Sequence, residues 1–238
     1  MSQDQIAMVV GVGGGLGAAL ARRFAEAGMK LALVARGDAI TGPLAKEIEA
    51  AGGAARVYGA DTTDESAVER VFDQLRGDLG EPDLVAFNAG AFQRTSVLDA
   101  TAEDFERSWR VSCYGGFLVG RAAARGMAAR GSGTIIFTSA TAALRGGAGF
   151  VNLAVGKFGL RALAQSMARE LGPQGVHVSS VIIDGLINGP SHADMTEEIA
   201  AGKLLDPKAI AETYYQLHIQ DRTAWTQELD LRPAVEKF

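Results

Sequence analysis

The sequence predicts an α/β fold, one doubly wound, seven-stranded parallel sheet with helices on both faces. Two observations carry this. Short runs rich in Val, Ile and Leu alternate along the chain with longer stretches whose apolar residues recur at helical spacing, the order that a parallel sheet with crossover helices requires. A glycine-rich turn follows the first apolar run and opens the first helical stretch, as in units that bind a nucleotide at a sheet edge. The 238 residues, 47% hydrophobic with 30 glycines and 6 prolines, suit one packed domain over residues 1–238.

The predicted strands are Ala7 to Val10, Leu31 to Ala35, Ala55 to Tyr58, Leu84 to Phe87, Thr134 to Thr138, Val176 to Ile183 and Trp225 to Leu231. After the first of these, Leu16, Leu20 and Phe24 recur every four residues and Gly28 is a stop signal, so an amphipathic helix is expected. Helices are also expected over Asp64 to Leu79, Ala102 to Arg130 and Val151 to Leu171. Asp206 can cap a further helix with Pro207 in its first turn. The less regular stretch at about 189–205 is expected to be a mobile substrate flap.

A net charge of −5 with no block of Lys and Arg gives no footprint for nucleic acid or anionic lipid, so neither is an expected partner. No basic region precedes the first apolar run, and eighteen consecutive apolar residues occur nowhere, so neither export nor membrane insertion is expected. The single cysteine, Cys113, excludes an internal disulfide and suits a reducing, cytoplasmic setting. Three scattered histidines and no cysteine cluster give no metal site to propose.

The turn Gly11-Val12-Gly13-Gly14-Gly15-Leu16-Gly17 lies where a strand must become a helix, and its glycines let backbone approach a pyrophosphate at the helix N-terminus. That makes Gly11, Gly15, Leu16 and Gly17 candidate cofactor residues of a Rossmann-type domain. At the end of the second strand, Ala35-Arg36 offers a cation and no immediate carboxylate, so Arg36 favours the 2'-phosphate of NADP over NAD, although Asp38 lies nearby.

The spacing Gly11-x-x-x-Gly15-x-Gly17, with Asp61 after the third strand and Asn88-Ala89-Gly90 after the fourth, resembles the short-chain dehydrogenase/reductase family. The matching segments run in order from residue 6 to about 190, with Val10 where the family usually has threonine and Phe87 in place of its first asparagine. The resemblance implies that Asp61 contacts the adenine, that Asn88, Ala89 and Gly90 line the cofactor cleft, that the Ile187 backbone bonds the carboxamide, and that Lys157 holds the ribose. It places the family's Tyr-x-x-x-Lys at Leu153-Ala154-Val155-Gly156-Lys157, so the tyrosine that donates a proton to the substrate carbonyl is replaced by Leu153. The family's serine falls on Ala140, flanked by Ser139 and Thr141, and its asparagine falls on Ser112. Phe150, seven residues before Lys157, supplies no tyrosine in the enoyl-reductase spacing either.

Lys157, Ser139, Ser112 and Asp184 are therefore the candidate catalytic groups. Asp184 stands where the family has the proline of Pro-Gly, and two readings of it are open, a substrate or acid–base contact and a turn cap. Tyr114, His192, Tyr214, Tyr215 and Asn152 are further conceivable donors. Two functions are weighed. One is an NADP-dependent oxidoreductase moving a hydride to or from a small apolar carbonyl, imine or enone with non-standard catalytic residues. The other is a silent dinucleotide-binding module that serves as a cofactor sensor or partner subunit. The resemblance also implies a homodimer or homotetramer packed through the two long helices, whose alanine-rich faces allow close approach.

Overall fold

The computed structural model describes residues 5–235. Residues 1–4, on which the expectation of no export signal partly rests, and residues 236–238 of the C-terminal tail lie outside the described residues.

All seven strands pair in parallel in the order β3-β2-β1-β4-β5-β6-β7, with β1 Ile6–Val10, β2 Lys30–Ala35, β3 Ala55–Gly59, β4 Leu84–Phe87, β5 Gly133–Ala140, β6 Val176–Ile183 and β7 Glu228–Leu231. Every residue of β1, β4 and β6 is buried, because helices cover both faces of the sheet. Alternation along β1 sorts the two cores. Ala7 and Val9 face α1 (Leu16–Glu26) and α8 (Pro207–His218), while Met8 and Val10 face α3 (Glu65–Asp78), α5 (Gly115–Arg130) and α6 (Val151–Leu171). The predicted cap at Asp206 forms, accepting from Lys208 N–H, and Asp64 also caps its helix by accepting from Ala67 N–H.

Two sequence expectations need correction, and two segments gain detail. The helix expected over 102–130 is two, α4 (Ala102–Trp109) and α5, joined by a wide π-type turn over Arg110–Tyr114 that turns Ser112 fully inward. A helix over Thr41–Ala50, α2, was not anticipated, because its only apolar anchors of any length are Leu44 and Ile48. The seventh strand starts at Glu228 rather than Trp225, because the Gln220 side chain takes the Thr226 N–H and Trp225 stacks on His177. The flap contains a 3₁₀ turn, Pro190–His192, and one short helix, α7 (Thr196–Ala200).

Because strand register is strict, the chain ends of β5, β6 and β7 arrive side by side, with Ala140 opposite Ile183 and Ile183 opposite Leu231. Arg161 of α6 fastens this corner. Its guanidinium donates twice to Glu228 (2.6 and 2.7 Å) and once to the Ala143 carbonyl (3.3 Å). Arg161→Ala is expected to lower unfolding free energy by about 1–2 kcal/mol, measured by urea denaturation at pH 7. A loss within experimental error would show that the corner holds without it.

Candidate active site

The strand order reverses direction between β1 and β4, and a crevice opens there beyond the strand ends. Gly11 continues from β1 with φ of +86°, and a Cβ on it would stand 2.5 Å from Ala89 N. Glycine is required by both facts. Asn88 locks the neighbouring turn, its N–H donating to Val10 O and its amide Nδ2 to Gly11 O at 3.1 Å.

This first cleft has a volume of about 400 Å³, and its lining includes Gly11, Arg36, Asp61, Asn88, Ala89 and Gly90. The Thr63 N–H, opposed by burial and helped by the Thr63 hydroxyl, Arg36 and Arg110, holds the Asp61 carboxyl below the usual carboxylate range. Asp38 does not line the cleft. Gly15, Leu16 and Gly17 lie outside that lining. Leu16 is buried in the core, a Cβ on Gly17 would stand 2.8 Å from Val12 Cα, and one on Gly14 would stand 3.2 Å from Pro190 of the flap. The flap thus rests on the glycine turn.

Lys157 is buried, and its ammonium donates to the Thr138 carbonyl at 2.7 Å beneath Gly90. Burial lowers its pKa from 10.5 to about 8. It sits between the Asn88–Gly90 turn and the segment from β5 to α6 that walls a second cleft.

The second cleft has a volume of about 590 Å³ and is open, with an apolar wall of Phe92, Ala140, Phe150, Leu153, Leu186 and Met195. Thr141 and Asp184 are its inner polar groups. The Thr141 hydroxyl donates to Asp184 Oδ1, and Arg232 pairs with Asp184 Oδ2 at 3.3 Å. All three side chains follow from the register of β5, β6 and β7, one residue beyond the Ala140–Ile183–Leu231 row.

The other candidates do not converge here. Ser139 and Ser112 are buried, line neither cleft, and leave their hydroxyls without a protein partner. Strand alternation is the reason for Ser139, since Ala140 takes the cleft-facing position. Of the four tyrosines none lines the second cleft. Tyr214 is buried against the Thr138 hydroxyl at 2.7 Å, Tyr215 lies under the Arg23 guanidinium, and Tyr114 stacks between Trp109 and Phe117. His192 Nδ1 donates to the Ile187 carbonyl, and Asn152 is buried away from the cleft. Ile187 itself sits in a bridge to Leu205 that roots the flap. Arg232 was missed from sequence, although counting one residue past the paired strand ends would have found it.

Among the described residues no group of His, Cys, Asp or Glu is placed to hold a metal ion, and no helix is long and apolar enough to cross a membrane. Gly11→Ala is expected to abolish ligand binding in the first cleft or to prevent folding, read by circular dichroism and calorimetry, because the methyl overlaps the Ala89 backbone. A folded variant that binds as the wild type does would refute the tight packing of this turn.

The sequence profile of the short chain dehydrogenase family matches residues 5–201. Among relatives, a short-chain dehydrogenase/reductase of Armillaria gallica is 31% identical over 228 residues, covering 89% of this chain and 87% of that protein. A (3R)-3-hydroxyacyl-CoA dehydrogenase of Canis lupus familiaris is 30% identical over 236 residues, covering 92% and 91%. Among solved structures, a short-chain dehydrogenase from Rhodopseudomonas palustris is 38% identical with a TM-score of 0.85 over 97% of this chain and 99% of that one. A metagenomic short-chain oxidoreductase in complex with NADP is 26% identical with a TM-score of 0.86, covering 98% and 100%. With its Rossmann-type sheet and a match over most of its length, the chain belongs to the short-chain dehydrogenase/reductase family of oxidoreductases.

Proposed function

We propose that the protein is an NADP-dependent oxidoreductase that moves a hydride to or from a small, largely apolar organic substrate, with Leu153 standing where the family carries its tyrosine. The observation that carries this is an intact crevice at the switch point of the sheet beside an open apolar pocket walled by Leu153 and Ala140.

The first cleft fits a dinucleotide. Gly11 allows backbone to pass within van der Waals distance of the Asn88–Gly90 turn, Arg36 offers a guanidinium for a 2'-phosphate, and Asp61 is held ionised as a hydrogen-bond acceptor. Gly15, Leu16 and Gly17 would shape the turn under the pyrophosphate once Pro190 moves off it. Lys157 would hold the ribose, and Ile187 the carboxamide. When bound, the nicotinamide supplies the hydride acceptor or donor. The chain's part is to orient it, to keep water off the apolar wall and to place the substrate.

The pocket lacks the family's phenol and serine, so a reaction needing a strong proton donor at a carbonyl oxygen would forgo about a hundredfold in rate or more. Imines and enones are less dependent on such an acid. The openness of the pocket supports an enzyme over a silent module, whose substrate side would be filled. Half-exposed Phe117, Val155 and Phe158 on α5 and α6 suit assembly into a homodimer or homotetramer, and the half-buried Cys113 suits the cytoplasm.

Calorimetric titration with NADPH and NADH tests the cofactor. The expected result is tighter binding of NADPH, with about a tenfold selective loss in Arg36→Ala. Failure of both dinucleotides to bind would overturn the proposal. The Lys157 ammonium is charged below about pH 8 and neutral above it, so NADPH affinity is expected to fall between pH 7 and pH 9. Lys157→Met should bind weakly at pH 7 and show no such fall. An unchanged slope in that variant would remove Lys157 from the binding site.

A further inference from the structure

We infer that the second cleft selects a cationic substrate, an iminium ion or the corresponding amine on an apolar frame, held against the carboxylate of Asp184. The inference rests on the oxidoreductase reading and narrows it to one substrate class.

Arg232 lies between Asp184 and the exposed Asp230, so its guanidinium is shared and only partly offsets the charge of Asp184. The Asp184 side chain is 15% exposed and lines the cleft. A carboxylate has about four acceptor sites, and the Thr141 hydroxyl occupies one of them, while Arg232 is an ion-pair partner at 3.3 Å. The other charges around the cleft are Arg145, Lys203 and Glu198 at its rim, with the exposed Arg94 guanidinium over the Phe150 ring. Arg145 and Lys203 are exposed to water and act through a dielectric of about 80, whereas a charge at the depth of Asp184 acts through an effective value of about 20. Inside the cleft the carboxylate therefore prevails.

Each candidate substrate meets this charge differently. A ketone taking up a hydride develops an alkoxide, and an enone an enolate. Either anion would form in a pocket whose inner charge is negative and which has no phenol to protonate it. An iminium ion is attracted by Asp184 and needs no proton. Its carbon takes a hydride from the reduced nicotinamide, forming a C–H bond; the C=N π pair becomes the amine lone pair, and the nicotinamide is oxidised. In reverse, the ammonium ion first gives its proton to water; the free amine's α C–H bond then breaks with its electron pair leaving to the oxidised nicotinamide, the nitrogen lone pair forms C=N, and Asp184 stabilises the developing cation. Phe92, stacked on Phe150 with centroids 5.5 Å apart, offers an exposed aromatic face suited to a flat cation, while Arg94 lies over the Phe150 ring. Leu153 and Ala140, which lack any proton for a carbonyl, are then no handicap.

The test uses the full chain without added cofactor, titrated by calorimetry with N-methylisoquinolinium and with its uncharged counterpart 2-methylnaphthalene. The wild type is expected to bind the cation at least about tenfold more tightly than the neutral ring. Asp184→Asn should remove that preference while retaining the neutral ring. Equal binding of the two probes by the wild type, or an undiminished preference in Asp184→Asn, would overturn the inference. If the variant does not fold, the wild-type preference decides alone. NADPH is titrated into the same preparations. NADPH binding without cation preference sinks this inference only, whereas cation preference without NADPH binding sinks the oxidoreductase reading and leaves the cation site standing. With NADPH present, N-methyl-3,4-dihydroisoquinolinium should be reduced faster than 1-tetralone, and the opposite order would count against the assignment.

Discussion

Everything at the working edge of this molecule depends on the register of its parallel strands. Parallel pairing with both faces buried permits no slip, since a shift by one residue would turn each strand's core side chains toward the wrong layer. Once β1 is fixed between β2 and β4, Gly11 must pass Ala89 at a distance only glycine tolerates, and the crevice between the two diverging halves of the sheet is set. The same constraint across β5, β6 and β7 puts Thr141, Asp184 and Arg232 in one row. The two clefts are neighbours because their walls are successive strand ends of one sheet.

Between them lies Lys157. A buried ammonium with a single carbonyl partner is an unfavourable arrangement for stability alone, and its lowered pKa is the signature of that burial. On the proposed reading, a bound dinucleotide would meet this ammonium. The second cleft is the reverse case, because the positions nearest its inner wall are apolar and the remaining polarity sits in an Asp–Thr–Arg network. On the proposed reading, the first side binds the dinucleotide and the second suits a reaction with little need of an acid.

Much of this was legible in the sequence. The seven strands, their parallel sense and the glycine turn follow from apolar runs and one glycine spacing, because both faces of the sheet are buried. The tie of Lys157 to the cofactor side rested on resemblance, and its position beneath Gly90 is compatible with it. Side-chain direction was less accessible. Ser139 and Ala140 are adjacent, and only strand phase decides which of them meets the cleft. The break at Arg110–Tyr114 was hidden because a π-type turn preserves helical apolar spacing on either side of it. Arg232 and Asp184 are 48 positions apart and meet only through strand pairing, a long-range fact that no local pattern carries.

The most direct test of this account is a crystal structure of the protein grown with NADPH. The account predicts the adenosine end beside Arg36 and Asp61, the ribose within hydrogen-bond reach of Lys157, and the nicotinamide facing the pocket of Ala140, Leu153 and Asp184. A dinucleotide bound elsewhere, or one whose nicotinamide is shut off from that pocket, would contradict it.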